Sequence, residues 1–347
     1  MRRVTIGEVA RRAGVSRKTV SRVINGEANV SDELRRRVEK VVEQLNYKPD
    51  RQARSLRSGK SFHIAFLYGS PSSYYVIGLL EGIRKVCTDH GYQLVPFETE
   101  DLGSRLVMSL LEFIERERAD GLLMMPPMTD NHQILAALDD EGVPFARITP
   151  GSLWPNGVDV VTTDRAAGSE MVEHLLELGH RHIGFIAGHP NHLAMAARLD
   201  GAQDAIREWT GPPAELIVRQ GMNTFDSGLQ AAGDLLDLTP RPTAVFAAND
   251  DMAFGVIFEA HERGLRVPDD LSVAGFDDTL LAPHIWPGLT TIRQPVVELA
   301  GQATLMLLSR IKGEAIERET KLATSFVQRR STGPVPANTP TADSDLS

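Results

Sequence analysis

The stretch TIGEVARRAGVSRKTVSRVIN, residues 5–25, predicts two short helices separated by a tight turn. Thr5 and Glu8 have the spacing of a capping box, which would start the first helix. Gly14 suits the left-handed conformation that closes a helix, and Ser16 suits the N-cap of the second helix. Two short helices joined by three or four residues that include glycine form a helix-turn-helix.

The second helix of such a unit places its first residues in the major groove of DNA, where Arg and Lys hydrogen-bond guanine. Here those residues are Arg17 and Lys18, and Arg22 lies one turn beyond Lys18 on the same face. The pattern predicts a DNA-binding headpiece in which these cations face the bases. A third predicted helix begins near Ser31 and carries three arginines at positions 35–37, interpreted as a solvated or phosphate-facing stripe.

Charge divides the chain into two parts. Residues 1–60 contain 16 Lys and Arg against 7 Asp and Glu, a net charge of +9, whereas the remaining residues carry −18. A basic segment joined to an acidic body is typical of a nucleic-acid-binding module attached to a part that repels the same polyanion. A solvated basic helical face is the alternative explanation, and charge alone does not exclude it.

The composition is that of an ordinary globular protein, 42% hydrophobic and 24% charged over 347 residues, which is long enough for two or three domains. No run of about 18 apolar residues predicts a transmembrane helix, and the N-terminus lacks the apolar segment of a secretory signal. Cys87 is the only cysteine, so an intramolecular disulfide is excluded and a reducing compartment is favoured. The expected location is the cytoplasm, in association with the nucleoid.

The first sixty residues resemble the headpiece and hinge of the LacI/GalR family of bacterial transcriptional repressors. The motifs that carry the resemblance are Val4-Thr5-Ile6, Ala13-Gly14-Val15-Ser16, Thr19-Val20-Ser21-Arg22-Val23-Ile24-Asn25, Val30-Ser31, Leu45-Asn46-Tyr47 and Ala53-Arg54-Ser55-Leu56. The resemblance implies a helix-turn-helix headpiece over residues 1–47 and a hinge helix or linker over 48–61. In this hinge Leu56 would be the side chain wedged into the minor groove. A plain linker is the alternative for residues 51–57.

On this resemblance, the DNA-binding residues belong to the first two helices, the segments that follow them and the hinge. They are predicted to be Thr5, Ser16, Arg17, Lys18, Thr19, Ser21, Arg22, Asn25, Asn29, Tyr47, Arg51, Ala53, Arg54 and Leu56. The expected partner is a pseudo-palindromic operator in double-stranded DNA, bound by a homodimer.

From residue 62 onward, apolar runs alternate with helical segments, which predicts parallel sheets with helices on both faces. The length of this part is large for one doubly wound sheet, so two lobes are expected. The resemblance continues through residues 178–183, 248–250, 275–278 and 289–295, and implies a core like that of periplasmic binding proteins. The predicted fold is a small all-α helix-turn-helix headpiece plus an α/β core of two doubly wound lobes.

The resemblance also implies where the chain crosses between the lobes. Lobe 1 is predicted to span about residues 62–161 and 293–322, and lobe 2 about residues 162–292 and 323–331. Residues 332–347 are rich in Pro, Ser, Thr and Asp without apolar periodicity, and are predicted to form a disordered tail. This tail does not resemble the heptad tail by which one family member forms tetramers, so a dimer is expected.

Ligands of open α/β sheets bind beyond the carboxyl ends of the strands. Polar and aromatic side chains follow several of the predicted strands, and such a mixture suits a polyhydroxylated ligand. By resemblance, Arg198, Asn249 and Asp277 match family positions that contact the effector, usually a sugar. The predicted effector-binding residues are Tyr74, Tyr75, Arg147, Arg198, Phe225, Asn249 and Asp277.

Alternative interpretations stay open for several of these residues. Asn249 also has the position of a helix cap, Arg198 that of a surface ion pair, and the tyrosines at 74 and 75 suit a core as well as a ligand. Phe225 is predicted to supply the ring that the family often carries near Asn223. A purine- or nucleoside-responsive regulator is the alternative to a sugar-responsive one.

The motifs of catalysis are missing from the sequence. There is no GxGxxG after a strand, no GxxxxGK[ST] and no GxSxG, so nucleotide cofactors and serine nucleophiles lack their usual sites. His180 and His182 have no further metal-binding side chains at the spacing of a metal site. They are interpreted as part of a turn before a strand. No cofactor, metal or enzymatic activity is predicted. A ligand-responsive transcriptional repressor is favoured over a solute-binding protein or a sugar-processing enzyme.

Overall fold

The computed structural model describes residues 4–24, 30–45, 47, 59–69, 72–99, 103 and 105–335. The chain divides into two compact units, residues 1–61 and residues 62–347. The first unit is called the headpiece and the second the core. Each is described by itself.

The described part of the headpiece contains three helices packed on a small apolar centre. The helices are α1 (Ile6–Ala13), α2 (Arg17–Ile24) and α3 (Asp32–Gln44). Valines at helical spacing and one tyrosine make up most of this centre: Val9, Val20, Val23, Val38, Val41 and Tyr47. Gly14 has a φ of 65°, the left-handed conformation that glycine adopts without strain, and so closes α1 as predicted.

The two helix starts of the headpiece differ. The Ser16 hydroxyl accepts a hydrogen bond from the Thr19 N–H at 3.0 Å, so the predicted N-cap of α2 is confirmed. The capping box predicted for α1 is wrong, because the Thr5 hydroxyl makes no cap hydrogen bond. The Glu8 N–H donates instead to the Thr5 carbonyl oxygen at 3.0 Å, and the Glu8 carboxylate lies 3.8 Å from Arg11.

The core is built on two six-stranded sheets. The strands are β1 (His63–Tyr68), β2 (Gln93–Glu98), β3 (Gly121–Met124), β4 (Phe145–Ile148), β5 (Asp159–Thr162), β6 (His182–Ala187), β7 (Glu215–Gln220), β8 (Ala244–Ala247), β9 (Ser272–Asp277), β10 (Thr290–Arg293), β11 (Glu319–Leu322) and β12 (Ser325–Val327). The sheet of lobe 1 has the order β11-β5-β4-β3-β1-β2, and that of lobe 2 has β12-β10-β9-β8-β6-β7. The described pairings are parallel, except that β12 runs antiparallel to β10.

Helices cover the faces of both sheets, as βαβ connections require. They are α4 (Ser73–Asp89), α5 (Arg105–Glu117), α6 (His132–Asp140), α7 (Asp164–Glu177), α8 (Leu193–Glu208), α9 (Phe225–Leu236), α10 (Asp250–Glu262) and α11 (Val296–Lys312). Because both faces are covered, all four residues of β4 and of β8 are buried. Phe66 and Phe145 lie in the centre of lobe 1, and Phe185 and Phe246 in that of lobe 2.

The chain passes between the two sheets three times, after β5, after β10 and after β11. The first and third crossings are joined to each other, because the Thr163 and Thr324 hydroxyls are hydrogen-bonded at 2.7 Å. The crossings lie side by side, which is the arrangement expected of a hinge between two lobes.

The predicted start of the disordered tail at residue 332 is wrong for residues 332–335. Thr332 is buried, and the Gly333 carbonyl accepts from Nε2 of the buried His180 at 3.0 Å. The Val335 N–H donates to the Leu178 carbonyl oxygen at 3.0 Å. Backbone hydrogen bonds hold this segment, so it needs no apolar periodicity in its sequence. The rest of the predicted tail lies outside the described residues.

Candidate functional site

Helix α2 presents the residues predicted to read DNA. Ser16, Arg17 and Lys18 are exposed at its start, and Thr19, Ser21 and Arg22 are half-buried; Thr5 is exposed before α1. Tyr47 is only 8% exposed and packs in the headpiece centre, a contribution to stability that the prediction did not include. The other predicted DNA-binding residues, Asn25, Asn29, Arg51, Ala53, Arg54 and Leu56, lie outside the described residues.

A cavity of about 330 Å³ lies where the carboxyl ends of strands from both lobes meet. This is the place where parallel α/β sheets bind ligands. Lobe 1 contributes Gly69, Ser72, Tyr75, Glu98, Thr99, Met125, Pro126 and Pro127. Lobe 2 contributes His189, His192, Met195, Arg198, Met222, Asn223, Asn249 and Asp277, and the second crossing contributes Gln294.

Arg198 lies on α8 at the point where this helix packs closely against α7. A Cβ on Gly168 would lie 2.2 Å from the Arg198 carbonyl oxygen, so only glycine lets the two helices come this close. The Arg198 side chain, which is buried, donates from Nε to Asp164 Oδ1 at 2.8 Å and from Nη1 to the Ala248 carbonyl oxygen. Its guanidinium carbon lies 3.6 Å from the centroid of the Phe276 ring.

Asp277 ends strand β9 and faces the same guanidinium. Its Oδ1 lies 3.6 Å from Arg198 Nη1 and accepts a hydrogen bond from Gln294 Nε2 at 2.6 Å. Its φ of 123° is one that residues other than glycine rarely adopt, and such strain is concentrated at ligand sites. Burial raises the pKa of Asp277 to about 7, although Arg198 and Gln294 act in the opposite direction.

Asp250, the first residue of α10, is a second buried carboxyl close to Asp277. Its Oδ2 accepts from the Thr279 N–H at 2.7 Å and its Oδ1 from the Thr291 hydroxyl at 2.6 Å. Burial raises the pKa of Asp250 well above its ordinary value, and the charge of Asp277 raises it further. Both carboxyls are therefore harder to ionise than an exposed aspartate.

Asn249 both caps a helix and borders the cavity. Its Oδ1 accepts from the Met252 N–H at 3.0 Å at the start of α10, and its Nδ2 donates to the Asn223 carbonyl oxygen at 3.1 Å. The Asn223 side chain in turn accepts from the His189 N–H at 2.9 Å. The helix-cap interpretation of Asn249 is confirmed, and it is compatible with the predicted effector contact because the capping side chain also borders the cavity.

Four of the predicted effector-binding residues border the cavity, namely Tyr75, Arg198, Asn249 and Asp277. Arg147 does not, because it is fully buried within lobe 1, where its Nε and Nη2 donate to both carboxylate oxygens of Asp159. Phe225 does not either, since it is 39% exposed and packs edge-to-face on Phe258.

Tyr74 is also outside the cavity lining. Successive residues of a helix point about 100° apart, so Tyr75 and its neighbour on α4 cannot both face the ligand. Gln294, His189 and His192 were not among the predicted effector-binding residues. Gln294 follows strand β10, and His189 and His192 follow strand β6, so the strand-end rule selects their segments but not the individual side chains.

No helix in the described ranges has the length and apolar character needed to cross a membrane. Likewise, the side chains that the structure describes include no group of three or more His, Cys, Asp or Glu arranged to hold a metal ion.

Comparison with known proteins places this chain among bacterial regulators. The family model "Bacterial regulatory proteins, lacI family" matches residues 5–50, and the model "Periplasmic binding protein-like domain" matches residues 172–332. The HTH-type transcriptional repressor PurR of Edwardsiella ictaluri is 34% identical over 329 residues, which are 94% of this chain and 96% of that protein. The chain belongs to the LacI family.

Solved structures of LacI-family proteins have the same architecture. The chain is similar to the transcriptional regulator CelR in complex with cellobiose, with a TM-score of 0.72 and 30% identity over 95% of this chain and 100% of that one. It is also similar to the lac repressor dimer bound to operator and the anti-inducer ONPF, with a TM-score of 0.74 and 30% identity over 96% and 100% of the two chains. As a LacI-family protein, the chain is a DNA-binding transcriptional regulator and not an enzyme.

Proposed function

We propose that this regulator represses transcription as a homodimer, and that a sugar bound in the cavity changes its affinity for a pseudo-palindromic operator. Helix α2 would read one half-site with Arg17, Lys18 and Arg22, and the second copy would read the other. The exposed start of α2 and the net charge of +9 on residues 1–60 support this assignment. The protein would act in the cytoplasm, where the chromosome is.

The observation that carries the sugar assignment is the Gln294 side chain. It is only 6% exposed, its Nε2 is bound to Asp277, and in the described part of the chain its Oε1 has no hydrogen-bond partner. A buried acceptor without a partner costs about 1–3 kcal/mol, so a ligand that donates to it gains affinity. Arg198 and Asp277 lie beside it, and sugar hydroxyls can both donate and accept.

The apolar part of the lining fits the same ligand. Tyr75, Met125, Met195 and Met222 border the cavity, and the less polar face of a sugar ring packs on such side chains. CelR, similar to this chain, is described in complex with cellobiose.

A purine effector is the second candidate, because the relative from Edwardsiella ictaluri is named PurR. A flat purine gains most from aromatic rings stacked on its faces. In the described lining Tyr75 supplies the one Phe, Tyr or Trp ring, and a sugar needs no second ring. The lining therefore favours the sugar.

The test is a thermal-shift screen of the full-length protein against neutral mono- and disaccharides and, in parallel, adenine, guanine and hypoxanthine. A ligand of the native state at a hundredfold excess over its Kd should raise stability by about 2.7 kcal/mol. The compound that stabilises the protein is then titrated in an operator-binding assay, where it should change the operator affinity. Stabilisation by a purine but by no sugar would contradict the sugar assignment. Sedimentation of the protein as a monomer at the concentration of the assay would contradict the dimer.

A further inference from the structure

The ionisable side chains around the cavity are predominantly acidic. Exposed Glu98 of lobe 1, whose Oε2 accepts a hydrogen bond from the Tyr68 hydroxyl at 3.4 Å, and buried Asp277 of lobe 2 both border it. Behind this lining, Asp164 and Asp251 lie close enough to Asp277 for their charges to raise the pKa of its carboxyl. Among the described lining residues, Arg198 supplies the one Lys or Arg side chain.

The guanidinium of Arg198 is already paired within the protein. Its Nε is bound to the Asp164 carboxylate at 2.8 Å, and its Nη1 lies 3.6 Å from the Asp277 carboxylate. The side chain is buried between these partners. An anionic ligand would have to compete for one buried guanidinium with the Asp164 carboxylate, and with Asp277 in its ionised form.

The two histidines of the lining offer little to an anionic ligand. His189 Nδ1 accepts a hydrogen bond from the Asn191 N–H at 3.1 Å, so this ring nitrogen has no proton to donate to a ligand. Burial and the neighbouring Arg198 lower the pKa of His192 to about 3, so this ring is uncharged at neutral pH. Each ring offers a ligand at most one N–H donor.

The hydrogen-bonding groups have the same bias. The Glu98 carboxylate is an acceptor, as is Oε1 of Gln294, which has no partner among the described residues, and Asp277 is a further acceptor in its ionised form. A ligand satisfies them by bringing O–H or N–H groups, whereas a phosphate or carboxylate brings further acceptors. Charge and hydrogen bonding thus disfavour the same class of ligand.

We propose that the cavity selects an uncharged sugar with several free hydroxyls and excludes phosphorylated sugars and sugar acids. This inference rests on the proposed sugar function and goes one step further, because it states the charge of the ligand. It implies that the regulator responds to a sugar that has not been phosphorylated on entry into the cell or by a kinase.

The experiment compares matched pairs on the full-length protein by thermal shift and calorimetry. The pairs are ribose and ribose 5-phosphate, glucose and glucose 6-phosphate, glucose and glucuronate, cellobiose and cellobiose 6-phosphate, and hypoxanthine and inosine monophosphate. In each pair whose neutral member binds, the charged member should bind at least about a hundredfold more weakly, because it brings a further negative charge beside acidic side chains whose guanidinium partner, Arg198, is already paired.

Variants test whether the carboxylates cause the preference. Glu98→Gln removes one negative charge from the lining, so the affinity ratio of neutral to phosphorylated ligand should fall by about tenfold. Glu115→Gln, the same change at an exposed position of α5 outside the cavity, is the matched control and should leave the ratio unchanged. An equal effect of the two substitutions would assign the preference to the overall charge of the protein rather than to the cavity, and would overturn the inference.

The outcomes separate this inference from the proposed function. A sugar phosphate or sugar acid that binds as tightly as its neutral partner would overturn the charge inference and leave the sugar function standing. Hypoxanthine as the only neutral ligand would overturn the sugar function, and the inosine monophosphate pair would then judge the charge rule alone. A panel in which no neutral compound binds would overturn both.

Discussion

The headpiece and the cavity use charge in opposite ways. Arg17 and Lys18 lie exposed at the start of one short helix, within a segment whose net charge is strongly positive. Arg198 of the cavity is buried, bound to Asp164 and stacked on an aromatic ring. An exposed cation attracts a polyanion at long range and costs little to leave solvated, whereas a buried cation must be paired in the free protein.

The two sites also differ in how they are assembled. The residues proposed to read bases, Arg17, Lys18 and Arg22, lie within one short helix, so their positions are fixed by helical periodicity and a local cap. The cavity collects side chains between residues 69 and 294 from both lobes. A substitution in the headpiece should therefore act locally, whereas a substitution near the cavity changes a network.

The largest expected effect is that of removing the headpiece. A chain that begins at Phe62 should lose operator affinity by at least about a thousandfold, because it lacks the basic segment and keeps the acidic core. It should still bind the effector. Mobility-shift titrations at several salt concentrations measure this, and the affinity of the full-length protein should fall steeply with salt. Operator binding by the truncated chain would mean that the comparison assigns DNA recognition to the wrong region.

Arg198 and Arg147 form a matched pair of buried arginines, one at the cavity and one outside it. Lysine cannot reproduce a forked hydrogen-bonding pattern. Both Arg198→Lys and Arg147→Lys should therefore lower thermal stability. Arg198→Lys should in addition weaken effector binding by about ten- to a hundredfold, or roughly 1–3 kcal/mol, without changing operator affinity in the absence of effector. Calorimetry with the sugar found in the screen measures this effect. Equal effector affinity of the two variants would remove Arg198 from the site.

Arg22 and Arg35 separate base reading from phosphate contact within the headpiece. Arg22→Ala on α2 should cost about 1–3 kcal/mol on the operator and relax the preference at one base pair of each half-site. Arg35→Ala on α3 should weaken binding to all sequences alike. Competition assays with single-base operator variants distinguish the two patterns. If both variants lose specificity equally, the orientation of α2 on DNA is different from the one proposed.

His180 and Asp277 should give the stability of the core opposite responses to pH. Burial lowers the pKa of His180 from 6.5 to about 4, so the unfolded chain binds the extra proton and stability is lost as pH falls through this range. Burial raises the pKa of Asp277 from 3.8 to about 7, so the folded chain keeps the extra proton and stability is lost as pH rises.

Urea unfolding between pH 4.5 and 7.5 tests these signs against the wild-type protein. The cost of His180→Asn should shrink as pH falls, because the wild type then loses its own contribution. The loss of stability caused by Asp277→Asn should shrink as pH rises. The variant should become the more stable protein where burial of the ionised carboxylate outweighs the hydrogen bond that it accepts. Costs that do not depend on pH would show that neither group titrates differently in the folded state.

The smallest expected effect compares the two helix starts of the headpiece. Ser16→Ala removes a cap hydrogen bond and should cost about 1 kcal/mol of headpiece stability. Thr5→Ala should cost only a few tenths of that amount, because the Thr5 hydroxyl makes no cap bond. Thermal unfolding followed by circular dichroism measures both. A larger cost for Thr5→Ala would mean that the capping box does form in solution.

The difference between a site formed by one segment and a site assembled from distant segments also explains which structural predictions succeeded. The helices of the headpiece were predictable because the apolar spacing, Gly14 and Ser16 all lie within one short segment. The capping box failed at Thr5 because the backbone carbonyl took the hydrogen bond that the hydroxyl was expected to accept. Residues 332–335 were predicted as disordered because their hydrogen-bond partners, the Leu178 carbonyl and the His180 side chain, are more than 150 positions away in the sequence.

For the cavity, the sequence pointed to segments that border it but not always to the side chains that do. Arg147 lies near the end of strand β4 and Arg198 within helix α8, and no local pattern shows which of the two borders the cavity. The carboxylate that each one meets decides between them: Asp159 holds Arg147 inside lobe 1, and Asp164 holds Arg198 at the cavity. Gln294 was not predicted because it is positioned by its hydrogen bond to Asp277, and no sequence pattern links the two residues.

The sequence by itself determined the helix-turn-helix, the basic N-terminal segment with its acidic remainder, and the repeated βαβ order. These properties depend on neighbours within a few turns or strands. Only the tertiary structure decided which polar side chains border the cavity, which are buried ion pairs of the core and how the C-terminal residues are held. Those outcomes depend on crossings that place distant segments side by side. The charge of a buried group is likewise decided there, since burial and facing charges set the pKa of Asp277, and both are properties of the folded chain.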